Sequence, residues 1–102
     1  MRRGRVFVNN VFAGILEELP EGRYCFSYES NYQGPPASLT MPIKKLTYEF
    51  DKFPAFFDGL LPEGALLDAL LHKYKLDRKD YFGQLMQVGK DLVGAVSVEE
   101  II

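Results

Sequence analysis

Histidine and cysteine are almost missing from this chain, and tryptophan is missing altogether: 102 residues hold one His, one Cys and no Trp. A lone cysteine, Cys25, excludes an internal disulfide and suits a reducing cytoplasm. It falls inside a strand-like run, where a small buried hydrophobe is its expected role. One histidine and one cysteine are too few for a zinc site, so no metal is expected. Any catalytic triad would have to be built on His72. Asp68 stands one turn before it, but an exposed i,i+4 pair explains that spacing equally well, and no nucleophile motif lies beside them.

Long apolar runs are missing too. None approaches the ~20 residues of a spanning helix, and charged and polar residues punctuate the N-terminus where a signal peptide would be apolar. A soluble cytoplasmic protein is expected. The formal charge is only -2, which gives no broad drive toward nucleic acid or membrane. Arg2, Arg3 and Arg5 read as a solvated end. Catalytic signatures are equally scarce. The kinase His-Arg-Asp, Asp-Phe-Gly and glycine-loop patterns do not occur. Gly83 to Lys90 approaches a phosphate loop but has five residues between its glycines, where four are needed, and Asp91 in place of the magnesium-binding Ser or Thr. No glycine-aromatic RNA-binding pattern is present. With no cofactor motif either, a protein-binding domain is expected rather than an enzyme.

What the chain does have is aromatic bulk, eight Phe and six Tyr. One small domain spanning residues 1–102 is not expected to hide them all, which predicts an aromatic-rich partner surface. Arg5–Val8 and Val11–Leu16 read as strands joined by a tight hairpin at Asn9-Asn10, since asparagine tolerates positive φ. Leu19-Pro20-Glu21-Gly22 has turn chemistry. Arg23–Tyr28 alternates with Tyr24, Phe26 and Tyr28 on one face, completing a three-stranded meander. Ser30 to Ala37 is loop by composition. Ser38-Leu39-Thr40-Met41 reads as a short strand stopped by Pro42, and Thr47 to Phe50 as an ambiguous connection. Asp51 is placed to cap a short helix with Phe53, Phe56, Phe57 and Leu60 on its apolar side.

The longest helical pattern lies within Phe56 to Lys75. Pro62 suits a first turn, and Leu66, Leu67, Leu70, Leu71 and Tyr74 then share a face. Gly64 is out of place there, because glycine in a helix costs roughly 0.5–1 kcal/mol against alanine. It signals either unusual backbone or a surface that something approaches closely. Asp77 is expected to cap a further helix, with Tyr81, Phe82, Leu85 and Met86 on one face and Gly89 as its C-terminal stop. Val93 to Val98 reads as a last strand able to join the meander. The expected architecture is α+β: a small antiparallel sheet, the N-terminal meander plus the C-terminal strand, packed with two to three helices.

Two blocks make a more specific match. Phe56-Phe57-Asp58-Gly59-Leu60-Leu61-Pro62-Glu63-Gly64 and Gly89-Lys90-Asp91-Leu92-Val93-Gly94-Ala95-Val96 resemble the Phe-Phe-x-Asn-Leu-Leu-Pro-Glu-Gly and Gly-x-Asp-x-x-Gly-Ala blocks of the N-terminal subdomain of HipA-family bacterial serine/threonine kinases. Met1 to Leu16 is similar to that subdomain's opening hairpin, and Ser38 to Pro42 to its Leu-Ser-x-x-Met-Pro segment. Gly59 departs from the family's asparagine. The resemblance covers almost the whole chain. HipA kinases continue into a larger part holding the ATP site, and this chain is expected to stop before it.

A free-standing subdomain of this kind resembles the HipS antitoxins of tripartite HipB–HipS–HipT systems. The resemblance implies a HipT-like shortened serine/threonine kinase toxin as partner, associated with phosphorylation of tryptophanyl-tRNA synthetase, and a HipB-like DNA-binding protein as a third component. It further implies docking on the kinase N-lobe, with Leu61, Pro62, Glu63, Gly64, Ala65 and Leu66 facing the cleft. Ala65 is small, so Leu66 or Glu63 is the better candidate for a plug. Two other readings stay open at this point: an accessory subunit completing an active split kinase, and a structural adaptor whose Leu-Leu-Pro-Glu-Gly block only shapes the turn.

Overall fold

Asn9 and Asn10 both have positive φ, 51° and 66°, as a two-residue hairpin between right-twisted strands requires. They join β1 (Arg3–Val8) to β2 (Val11–Glu18). The ladder slips once: Val6 faces Gly14 and Phe7 faces Phe12, leaving Ala13 as a bulge. The Ala13 carbonyl is not orphaned, because it accepts the Glu29 N–H at 2.7 Å. After a turn with Glu21 and Gly22 at positive φ, β3 (Tyr24–Tyr28) completes the meander. The computed structural model describes residues 1–102.

Two more strands widen the sheet: β4 (Thr47–Phe50) and β5 (Val96–Ile101). The order is β4-β3-β2-β1-β5, with every neighbouring pair antiparallel. The α+β reading and the return of the C-terminal strand to the meander therefore hold, with three changes. β5 starts three residues later than its β-branched run implied. Thr47–Phe50 is an edge strand rather than a connection. Ser38–Met41 is a turn, in which the Ser38 carbonyl takes the Met41 N–H and the Ser38 hydroxyl takes the Thr40 N–H.

Three tyrosine hydroxyls hold the segment between β3 and β4 in place. Tyr28 donates to the Met41 carbonyl and accepts from the Ala37 N–H, Tyr32 donates to the Pro35 carbonyl, and Tyr48 to the Pro42 carbonyl. A stretch that is loop by composition is thus fixed by phenol-to-backbone bonds, worth about 1 kcal/mol each.

Three helices follow: α1 (Ala55–Asp58), α2 (Gly64–Tyr74) and α3 (Tyr81–Val88). Asp51 caps none of them. Pro54, in extended backbone, occupies the N-cap of α1. The cap of α3 is Asp80, whose carboxylate takes the Gly83 N–H at 3.0 Å; Asp77 takes the Lys79 N–H in the loop before it. Gly89 closes α3 as its C-cap, at the expected place, and has a second role besides. Its φ is -58°, so it is not a left-handed stop. A Cβ there would lie 2.3 Å from the Val98 carbonyl oxygen, so glycine is needed for the close approach of the end of α3 to β5.

The core is one layer between the sheet and helices α1 and α3, built from Val6, Leu16, Phe26, Phe57, Phe82 and Leu85 among others. It takes in Tyr24, Tyr28, Tyr32 and Phe53 as well, and only Tyr74 and Tyr81 of the aromatics are exposed. Most of the aromatic residues therefore build or pad the core, while Phe7 and Phe12 pair with each other half-exposed, outside the core cluster; the aromatic-rich partner surface expected from their number does not form. Cys25 is half-exposed on the opposite face of the sheet rather than buried. No helix is long and apolar enough to cross a membrane.

Arg2 is no solvated end. Its guanidinium grips Glu18 through two bonds of 2.9 and 2.7 Å and Asp80 through bonds of 2.8 and 3.3 Å, and lies over the Phe82 ring at 5.3 Å. It joins β2 to the capping residue of α3. Bidentate networks of this kind outdo isolated surface pairs. Hydrogen bonding to Arg2 holds the Glu18 and Asp80 carboxyls below their usual range.

Two predictions come from these contacts. In urea unfolding, Gly89→Ala and Gly89→Asn should both lose about 1–3 kcal/mol through overpacking; an Asn variant as stable as wild type would restore the helix-stop role, since asparagine tolerates that conformation. The depressed carboxylates contribute stability that is present above the ordinary carboxylate range and lost as pH falls through their lowered folded values. Arg2→Met should therefore be less stable than wild type at neutral pH, with the gap closing below roughly pH 4. A gap independent of pH would mean that packing on Phe82, not charge, is what Arg2 supplies.

Candidate functional site

The stem of the site is the short α1. Gly59 closes it, and the Leu60 and Leu61 N–H groups return to the Phe57 and Asp58 carbonyls at 3.1 Å each. Leu60 and Leu61 pack partly buried against the core, which fixes the direction in which the chain leaves. Pro62 is half-buried, and Glu63, Gly64, Ala65 and Leu66 are exposed. Glu63 is extended and forms the N-cap of α2 without a side-chain capping bond. Pro62 therefore precedes the helix instead of sitting in its first turn.

Gly64 has φ +58°, and nothing lies within 4 Å of where its Cβ would be. The unusual backbone anticipated at this glycine is real. No neighbour within the chain approaches it, so its role inside the domain is the left-handed corner between Glu63 and Ala65.

Helix α2 ends in a Schellman-type closure. Lys75 is left-handed at φ 55°, and the Leu76 N–H reaches the Leu71 carbonyl at 3.0 Å. The loop to α3 is held from both sides. Arg78 pairs with Asp68 on α2, and the buried Gln84 amide donates to the Asp77 and Arg78 carbonyls at 3.4 and 2.9 Å. Asp68 is thus the partner of Arg78 and not of His72, which stands exposed. No group of three or more His, Cys, Asp or Glu side chains comes together anywhere in the structure.

The shared apolar face of α2 is where structure and expectation part most. None of its eleven residues is buried. Leu66 is 74% exposed, while Leu67, Leu70 and Leu71 are half-exposed. Part of that face and the end of α3 wall a groove of about 630 Å³ lined by Pro62, Leu66, Leu70, Tyr74, Val88 and Val93 among others. Of the six residues expected to face a partner, Pro62 and Leu66 line the groove. Leu61 serves the core, and Glu63, Gly64 and Ala65 form the exposed corner beside it. The contribution of Tyr74, Val88 and Val93 was not anticipated. Tyr74 has a trace in the sequence as a member of the apolar face of α2, whereas Val88 and Val93 have none as groove residues; in the structure Gly94, at φ +119°, follows a fully exposed Val93.

Known proteins give this geometry a context. The HipA N-terminal domain family matches residues 4–99. An uncharacterized protein of Haemophilus influenzae (strain Rd) is 36% identical over 100 residues, covering 98% of this chain and 93% of that protein. Y4dM of Sinorhizobium fredii, marked by its name as a candidate kinase, is 33% identical over 93 residues, covering 81% of this chain but only 23% of its own length. A solved N-terminal domain of HipA toxin superimposes with a TM-score of 0.80 at 34% identity, covering the whole of this chain and 94% of that one.

The corner itself can be tested without a partner. Gly64→Ala meets no atom but must hold a left-handed backbone, so a loss of about 1–2 kcal/mol in thermal or urea unfolding is expected. Gly64→Asn, better suited to that region, should lose less. Equal losses would show that steric crowding, and not backbone conformation, selects glycine here.

Proposed function

The chain belongs to the HipA N-terminal domain family, and from that premise we propose that it is an antitoxin of the HipS kind. It binds a shortened HipA-like (HipT) serine/threonine kinase at the N-lobe, where the fused subdomain would sit, and inhibits phosphoryl transfer by protein contact alone. A HipB-like DNA-binding protein is the third member of the set, and the cytoplasm is where the three meet. The observation that carries this reading is the corner at Glu63–Leu66. It projects from the domain on a stem anchored by Leu60 and Leu61, with α2 exposed along its length behind it. A projection on an anchored stem suits the obstruction of a cleft, because less ordering entropy is lost when it inserts than for a free loop.

The relatives support the reading in one further respect. This domain takes up 93% of the H. influenzae protein and 23% of Y4dM, so it occurs both nearly alone and as a small part of a longer chain. A nearly free-standing copy acts in trans on a kinase that the longer chain carries in cis.

Titrating the purified protein into a cognate shortened HipA-like kinase, with phosphorylation as readout, decides the matter. Activity should fall to baseline near one equivalent. Activity that rises would make this chain a subunit completing a split kinase and overturn the antitoxin reading. Substituting Glu63, Ala65 and Leu66 together should relieve inhibition; unchanged inhibition by a folded variant removes the corner from the mechanism.

A further inference from the structure

A helix that buries none of its residues is held by little of its own packing, and α2 is such a helix. Its groove-lining residues Leu66, Ala69, Leu70, Lys73 and Tyr74 recur at intervals of three and four, the seam one helix offers to another. Val88, Leu92 and Val93 form the facing wall. Three of the nine exposed large hydrophobic residues, Leu66, Tyr74 and Val93, converge on this one groove. The other six are scattered over the chain ends, the loop positions Leu39 and Leu46 and the first residues of β2 and α3, as single exposed apolar residues usually are.

The charges are as informative as the apolar walls. Lys73 and Asp91 are the only charged residues lining the groove, one on each wall. Neither is in a salt bridge with any residue of the chain. The Lys73 ammonium rests over the Tyr74 ring at 5.2 Å, which holds it at the rim. A ligand seated here therefore meets a cation on one flank and an anion on the other. Flanking charges of this arrangement select partner and direction in paired helices.

We propose that the groove between α2 and the end of α3 receives one amphipathic helix of the kinase. That helix is apolar along its seam, with an acidic flank toward Lys73 and a basic flank toward Asp91. The inference rests on the kinase-docking reading above and divides the labour within it: the groove anchors, and the corner at Glu63–Ala65 obstructs. The lining on α2 from Leu66 to Tyr74 spans a little over two turns, about 12 Å, room for the i, i+3, i+4, i+7 anchors of a helix laid in a groove.

The test separates binding from inhibition. Affinity for the shortened kinase is measured by calorimetry for wild type, Val93→Glu, Tyr74→Glu and Lys73→Glu, and inhibition is assayed in parallel. Val93 is fully exposed, so its variant keeps the wild-type unfolding midpoint. Each variant should bind roughly tenfold or more weakly, whereas Glu63 and Ala65 substitutions should lose inhibition and keep affinity. Wild-type affinity in all three groove variants overturns the groove and leaves kinase docking standing. A wild-type chain that does not bind the kinase overturns both. The helical form of the occupant is read by a photocrosslinker on Val93→Cys, in a chain carrying Cys25→Ser. Crosslinks three and four residues apart on one kinase segment are expected; crosslinks at alternate residues would mean a strand and refute the helix.

Discussion

Phe26, fully buried at the middle of β3, has Tyr28 and Phe57 at ring-centroid distances of 4.8 and 6.0 Å. Two residues back on the same face of β3, Tyr24 stacks with Phe82 at 6.2 Å and meets Phe53 edge-on at 5.2 Å. This aromatic layer is the constraint from which the rest of the arrangement follows. Each ring buries a large area and prefers offset or edge-on neighbours. Two helices suffice to supply the facing rings, Phe57 from α1 and Phe82 from α3. The inner face of a small sheet has no room for a third. Helix α2, inserted between them in sequence, is displaced to the outside, and its leucines are left for another surface.

That displacement also explains why the exposed corner and the groove lie side by side. The stem of the corner before α2 is tied into the core through Leu60 and Leu61. The groove behind it is shaped because the loop from α2 to α3 is pinned by Gln84 and the end of α3 is pressed onto β5 at Gly89. Arg2, reaching across from the start of β1 to Asp80, ties α3 to the sheet at its other end.

Much of the fold was legible because it follows from period and turn chemistry. The alternation of Tyr24, Phe26 and Tyr28 gave β3 its correct face, and Asn9-Asn10 marked a hairpin that is there. The misreadings share a cause: a local signal was outweighed by a partner distant in sequence. Thr47–Phe50 has strand-favouring residues but is only four long, and what makes it a strand is the free edge of β3 that it pairs with. Asp77 resembles a cap as well as Asp80 does, but Asp80 is the one Arg2 can reach. Gly89 reads as a stop beside its neighbours and is a contact as well when Val98 is placed against it. The leucine stripe of α2 was read correctly as a face. Periodicity reports that a face exists and not what covers it.

Strands β1 and β5 lie side by side, with Arg3 opposite Ile101. Paired residues in an antiparallel ladder are about 5 Å apart, so the two ends of the fold leave from one corner of the sheet. A domain built this way is portable. It can be joined to a larger chain, cut from one, or set within a loop of one, and every strand keeps its neighbours. Fusion and separation then become events of gene architecture that the fold does not register, and the same surface is presented in either arrangement.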